Sequence, residues 1–328
     1  MMRMRTSEPR LINLTLFRGA IAELLHPPTG QIPFLDGLRS IAVLLVIGQH
    51  LSGKFAAAYG PNSFSRLPFV ANGWMGVDLF FVLSGFFIGG QLWRELRDNK
   101  TIHVGRFVMR RGFRIWPLYF FTFLSVFIFM LGTGQNPALK GYGWSDLVFV
   151  TNFHNRGLVM GSWSLCTEEQ FYIIAPLALF FSARHVHAIR DLRPWLWGLL
   201  LVVPLVRAAV WMYVTGHFFQ HSPALFASLY YSSLTHCDGL IMGLIVSNYW
   251  VTHEKPTSRF ATPGILIATA VALSIGLHQS QKEICDFTIL AMIFGSLVWF
   301  GIQRRTVIFN SRAFLLAIAA VFRHVSES

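Results

Sequence analysis

The feature that most constrains this chain is a succession of apolar runs of roughly 20 residues, parted by short polar stretches. A hydrocarbon core about 30 Å thick takes about 20 helical residues to cross. Only a helix or a closed barrel satisfies its own backbone there. Runs of this length predict an all-α fold, a polytopic transmembrane helical bundle with about 8–9 spans visible. Composition agrees: 54% of the 328 residues are hydrophobic and 13% are charged, against about 25% charged in soluble domains. The net charge of +12 sits between the apolar runs. That placement fits the positive-inside rule and argues against nucleic acid as a partner. Cys166, Cys237 and Cys285 are far apart and suggest neither a disulfide framework nor a zinc site.

In chain order, residues 1–30 carry Arg3, Arg5, Arg10 and Arg18 and read as a cytoplasmic tail; residues 31–328 read as one membrane domain. Spans are expected at 34–52, 74–93, 116–131, 163–182, 195–215, 228–250, 263–278 and 284–302, with a ninth begun at 313–322. Between the second and third lies the most basic stretch, with Arg94, Arg97, Lys100, Arg106, Arg110, Arg111 and Arg114. It is read as a cytoplasmic loop, which also places the N-terminus inside. The stretch 132–162 reads as an outer loop that dips into the interface at 147–153. No internal repeat and no pair of broken helices is visible.

Charged residues inside apolar runs are costly and each needs a reason. Arg39 and His50 share the first run, eleven positions apart. That is about three turns, so they fall on one face, roughly 16 Å apart. The plain alternatives are a snorkelling arginine and an interfacial histidine. Asp78 opens the second run, where the helix dipole also favours an acid; its depth permits a contact with His50. Glu168 and Glu169 lie just inside the fourth run, which Ser162 or Ser164 could cap. Cys166 beside them invites a nucleophile reading, with no evident electropositive surroundings to support it. Asp238, deep in the sixth run, calls for a basic partner, Arg39 or another. Arg111 and Arg114 are three apart, hence neighbours on a helix face. Two such guanidiniums suit phosphate oxygens, or simply anionic lipid.

Taken together these elements resemble the acyltransferase-3 family of membrane acyltransferases. The resemblance rests on Arg39 and His50 in the first span, the run from Gly76 to Phe86, the Arg111–Arg114 step and the run from Trp163 to Tyr172 with Glu168. Asp238, Gly239 and Gly243 match more loosely. It implies an O-acyltransferase that moves an acyl group, acetyl by preference, from cytoplasmic acyl-CoA to a hydroxyl of a surface saccharide. It implies the bacterial inner membrane as location, with the N-terminus cytoplasmic. Carried over, His50 is the base or acyl relay, Arg39 supports it, Asp78 and Glu168 orient or balance the centre, and Arg111 and Arg114 hold CoA phosphates. No metal is required. The family has ten core spans, and here the chain ends at Ser328 where a further span should follow, so truncation is the expectation. The competing readings are a saccharide or lipid exporter using the same polar residues, and an inactive remnant.

Overall fold

The computed structural model describes residues 32–60, 70, 73–134, 143–154, 157–159, 161–185, 188–216, 223–252 and 279–304. The tail at 1–30 and the spans expected at 263–278 and 313–322 lie outside these. The described helices are α1 (Pro33–Tyr59), α2 (Met75–Asn99), α3 (Val104–Gly132), α4 (Gly143–Leu147), α5 (Thr151–His154), α6 (Ser162–Ser182), α7 (Arg193–Thr215), α8 (Pro223–Tyr231), α9 (Asp238–Thr252) and α10 (Gln279–Arg304). A 3-10 turn, Ile189–Leu192, precedes α7. Among the described residues there is no strand. Among the described residues, five helical segments are long and apolar enough to cross a membrane: Pro33–Phe55, Met75–Asn99, Val104–Gly132, Ile189–Thr215 and Cys285–Gln303. The chain divides into two compact units, one of residues 1–40 and 301–328, the other of 41–300. In the smaller, the Phe34 ring lies so close to Gly301 that no side chain would fit there.

In the larger unit, α2 and α9 form the centre. They run parallel: Asp78 meets His236 just before α9, Gly89 faces Ser247, and Arg97 donates to the Val251 carbonyl. Small residues permit the close approach. A Cβ at Gly85 would stand 2.2 Å from the Leu240 carbonyl oxygen, and one at Gly243 would stand 2.3 Å from that of Val82. Trp93 seals the far end of this seam, its Nε1–H within 3.1 Å of both the Leu244 carbonyl and Ser247 Oγ. Around this pair the apolar side chains face outward. Phe113, Leu118, Phe121 and Phe129 of α3, and Trp195, Leu201 and Leu205 of α7, are all more than half exposed, as lipid-facing positions are.

The structure corrects the sequence reading in two places. The basic stretch is not a loop. It is the last turn of α2, a short turn at 100–103 and the first three turns of α3, so Arg106, Arg110 and Arg114 form an i, i+4, i+8 stripe. The expected sixth span is not continuous. It breaks at 232–237 between α8 and α9, and side chains satisfy the backbone that the break frees. Thr235 Oγ1 donates to the Leu229 carbonyl, His236 Nδ1–H to that of Tyr230, and Arg207 to that of Thr235. In the stretch before α6, Leu147, Val148 and Phe153 are about half exposed, while Thr151 and Asn152 are buried. Asp146 is buried and accepts from the Tyr119 hydroxyl, the Leu158 amide and Ser162 Oγ. Ser162 is thereby turned away from capping. The N-cap of α6 is Gly161, at φ 78°, without a side-chain cap.

Candidate active site

Two cavities of the larger unit open at opposite ends of α2. The first, about 390 Å³, takes its lining from α1 (Val46, Gln49, His50, Lys54), from the start of α2 (Trp74, Val77), and from Trp163, Tyr230 and Tyr231. His50 Nδ1 lies 2.8 Å from the Val46 carbonyl oxygen. A carbonyl only accepts, so Nδ1 carries the hydrogen, and in the neutral ring Nε2 keeps a lone pair. Nε2 lies on the side of Gly161, where a Cβ would come within 3.9 Å of it. The sequence thus places an imidazole on the cavity wall with its tautomer set by its own helix.

The second cavity, about 530 Å³, is lined by Arg94 and Gln91 of α2 and by Arg106, Arg110, Arg111 and Arg114 of α3. Arg111 donates to Gln91 Oε1 at 2.8 Å. The acid beside them, Glu95, accepts from the amide and Nδ1–H of His103 in the connecting turn. Five guanidiniums and one carboxylate thus line this cavity, which carries the chemistry that suits an anion. The spacing of Val77 from Gln91 along α2 puts the cavities about 21 Å apart.

Between them, Ser84 Oγ donates to Glu168 Oε1 at 2.8 Å, and the Tyr172 hydroxyl donates to Glu168 Oε2 at 2.6 Å. Ser84 is seven residues from both Val77 and Gln91, so Glu168 stands near half depth. Glu169 turns the other way and accepts from Trp116 Nε1–H.

The contact of Asp78 with His50 that the sequence permits gives way to another partner. Asp78 Oδ1 lies 2.8 Å from His236 Nε2 and both residues are 1% exposed. His236 Nδ1–H is committed to the Tyr230 carbonyl, so a single proton lies between Nε2 and the carboxylate. The His236 ring stacks between Phe287 and Trp163, with centroids at 4.1 and 5.7 Å. Asp238 finds its basic partner in Arg207, not Arg39. The guanidinium is fully buried, is bidentate to Asp238 at 2.7 and 3.1 Å, and also bonds Thr288. Arg39 lies in the smaller unit, with an ion pair to Asp36 at 3.5 Å. Cys166 is buried and bonded to Thr151 Oγ1, which does not favour a nucleophile.

The sequence reading passed over Arg207. An arginine twelve residues into an apolar run carries the cost that drew attention to Arg39, and the same test would have found it. His236 was visible beside Asp238, but its partner Asp78 is distant in sequence.

A model of an acyltransferase domain matches residues 32–324. The chain belongs to the acyltransferase-3 family. Among curated proteins it is similar to the peptidoglycan O-acetyltransferase OatA of Listeria monocytogenes, 30% identical over 237 residues, which is 67% of this chain and 34% of that protein. YrhL of Bacillus subtilis, provisionally named a peptidoglycan O-acetyltransferase, is 33% identical over 163 residues, 45% of this chain and 24% of its own. A Staphylococcus aureus protein with a provisional O-acetyltransferase name is 26% identical over 238 residues, 67% of this chain and 35% of its own. The matches thus take in about a third or less of these relatives' length. No solved structure matches.

Proposed function

We propose that this family member is an O-acyltransferase that moves an acetyl group from acyl-CoA, held at the basic end, to a saccharide hydroxyl at the His50 end. The observation that carries the reading is the pair of cavities at opposite ends of α2, one arginine-lined and one holding an imidazole with a free Nε2 lone pair. The names of the relatives support acetyl as the group and a saccharide as the acceptor. By the positive-inside rule the basic cavity faces the cytoplasm, where acyl-CoA is, with the N-terminus on the same side of the inner membrane.

Arg111 and Arg114, with Arg94, Arg106 and Arg110 beside them, fit the phosphates of CoA. His50 Nε2 takes the proton of the acceptor hydroxyl as its oxygen attacks the thioester carbonyl. The carbon–sulfur bond breaks, the ester forms, and the proton passes from Nε2 to the departing thiolate. Glu168, at half depth, receives hydrogen bonds that hold its carboxylate toward α2. Arg39 is assigned to support of the centre on the resemblance alone, and Asp78 acts through His236.

The test compares the surface glycan of cells with and without the gene. The account expects loss of ester-linked acetyl from a glycan that still reaches the surface. A glycan with its esters intact, or one that fails to reach the surface, overturns it, the latter in favour of an exporter.

A further inference from the structure

The cavity beside His50 has a lining that no step of acyl transfer requires. Four aromatic side chains, Trp74, Trp163, Tyr230 and Tyr231, wall it opposite α1, with Val46 and Val77 the aliphatic contributors. The rings stand at mixed angles: Trp163 to Tyr230 at 4.7 Å and 55°, Trp163 to Tyr231 at 5.3 Å and 81°. Such a wall offers both π faces and polar edges, which suits an amphipathic ring more than an alkyl chain. The C–H face of a pyranose is electropositive and packs on the negative face of an aromatic ring.

Two further groups narrow the ligand. Gln49 Oε1 is shielded from solvent and, among the described residues, has no hydrogen-bond partner; a sugar hydroxyl would supply the missing donor. Lys54, one turn beyond His50 on the same face of α1, also lines the cavity. At about 390 Å³ the space is within the range of small-ligand sites, about 300–1,000 Å³.

The aromatic wall is also held in place. His236 donates to the carbonyl of Tyr230 and stacks on Trp163, while Asp78 holds its other nitrogen. The break before α9 therefore pins the end of α8, which carries both tyrosines.

From these observations we infer that the cavity is a pyranose subsite selecting a saccharide that bears a carboxylate, with Tyr231 and Trp163 as stacking partners and Lys54 as the selecting charge. The inference rests on the acyl-transfer reading for its role but not for its binding. It is tested on purified full-length protein in detergent, without acyl-CoA, by titrating methyl glucuronide and methyl glucoside, which differ by one carboxylate. Tryptophan fluorescence and saturation-transfer NMR report binding.

The glucuronide is expected to bind saturably, with strongest saturation at its ring C–H protons. Tyr231→Ala should weaken binding about tenfold, and Tyr231→Phe should keep it. Lys54→Met should weaken the glucuronide about threefold and leave the glucoside unchanged. Lys54 is exposed, so that variant keeps the test decisive if Tyr231→Ala fails to fold. Absence of saturable binding, equal affinity for the two sugars, or indifference to Lys54→Met overturns the proposal. Sugar binding without acyl transfer would overturn the enzyme reading and leave the subsite standing. Acyl transfer without these binding differences would do the reverse.

Discussion

Arg207 has no exposed surface and is bidentate to an equally buried carboxylate. Removing one partner of such a pair leaves an uncompensated buried charge. Arg207→Ala is therefore expected to destabilise the bundle by about 3–5 kcal/mol, seen as a lower midpoint in thermal unfolding of the detergent-solubilised protein. Replacing Arg207 and Asp238 together by Met and Leu should recover most of that loss. A double variant as unstable as the single one would show that packing, not charge, is at stake. Arg39, His50, Asp78 and Glu168 were legible in the sequence because ionisable groups in apolar runs are expensive. The partners of Asp78 and Glu168 were not. Ser84 and Glu168, or Asp78 and His236, meet across 84 and 158 residues, and no local pattern encodes such pairings.

At the scale of elements, the α2–α9 seam depends on absent side chains. Gly243→Val would drive a Cβ into the Val82 carbonyl and the backbone of Gly85 and Phe86. The helices must then part, and loss of the folded protein from size-exclusion profiles after solubilisation is expected. Trp93→Phe, which removes one N–H and its two contacts, should cost only about 1 kcal/mol in the same thermal assay. On α3, Arg111→Ala with Arg114→Ala is expected to raise the Kd for acyl-CoA at least about tenfold, measured by calorimetry. Unchanged affinity would remove the basic cavity from the donor's path. Apolar periodicity revealed the long helices but not the break at 232–237. The polar cluster Ser232, Ser233, Thr235 and His236 was its sole local sign; Thr235 and His236 satisfy carbonyls of the preceding α8, and Arg207 of α7 satisfies that of Thr235. In the basic stretch, charge density was read as loop, whereas the i, i+4 spacing of Arg106, Arg110 and Arg114 was the helical signal.

At the scale of the molecule, the parallel course of α2 and α9 separates two chemistries by about 21 Å. One end collects guanidiniums, and the other holds an imidazole and a wall of aromatic rings. Family membership across residues 32–324 and the apolar outer surfaces of α3 and α7 belong to one picture, a polytopic helical bundle. The most direct test of the proposed transfer uses the full chain reconstituted in lipid vesicles, with acetyl-labelled acetyl-CoA and a saccharide acceptor. Label in the saccharide ester is read for the wild type and for His50→Ala, and acyl-CoA binding is measured on both. The account predicts that His50→Ala binds acyl-CoA as the wild type does and transfers label at least about 100-fold more slowly. Transfer by His50→Ala at the wild-type rate would contradict it.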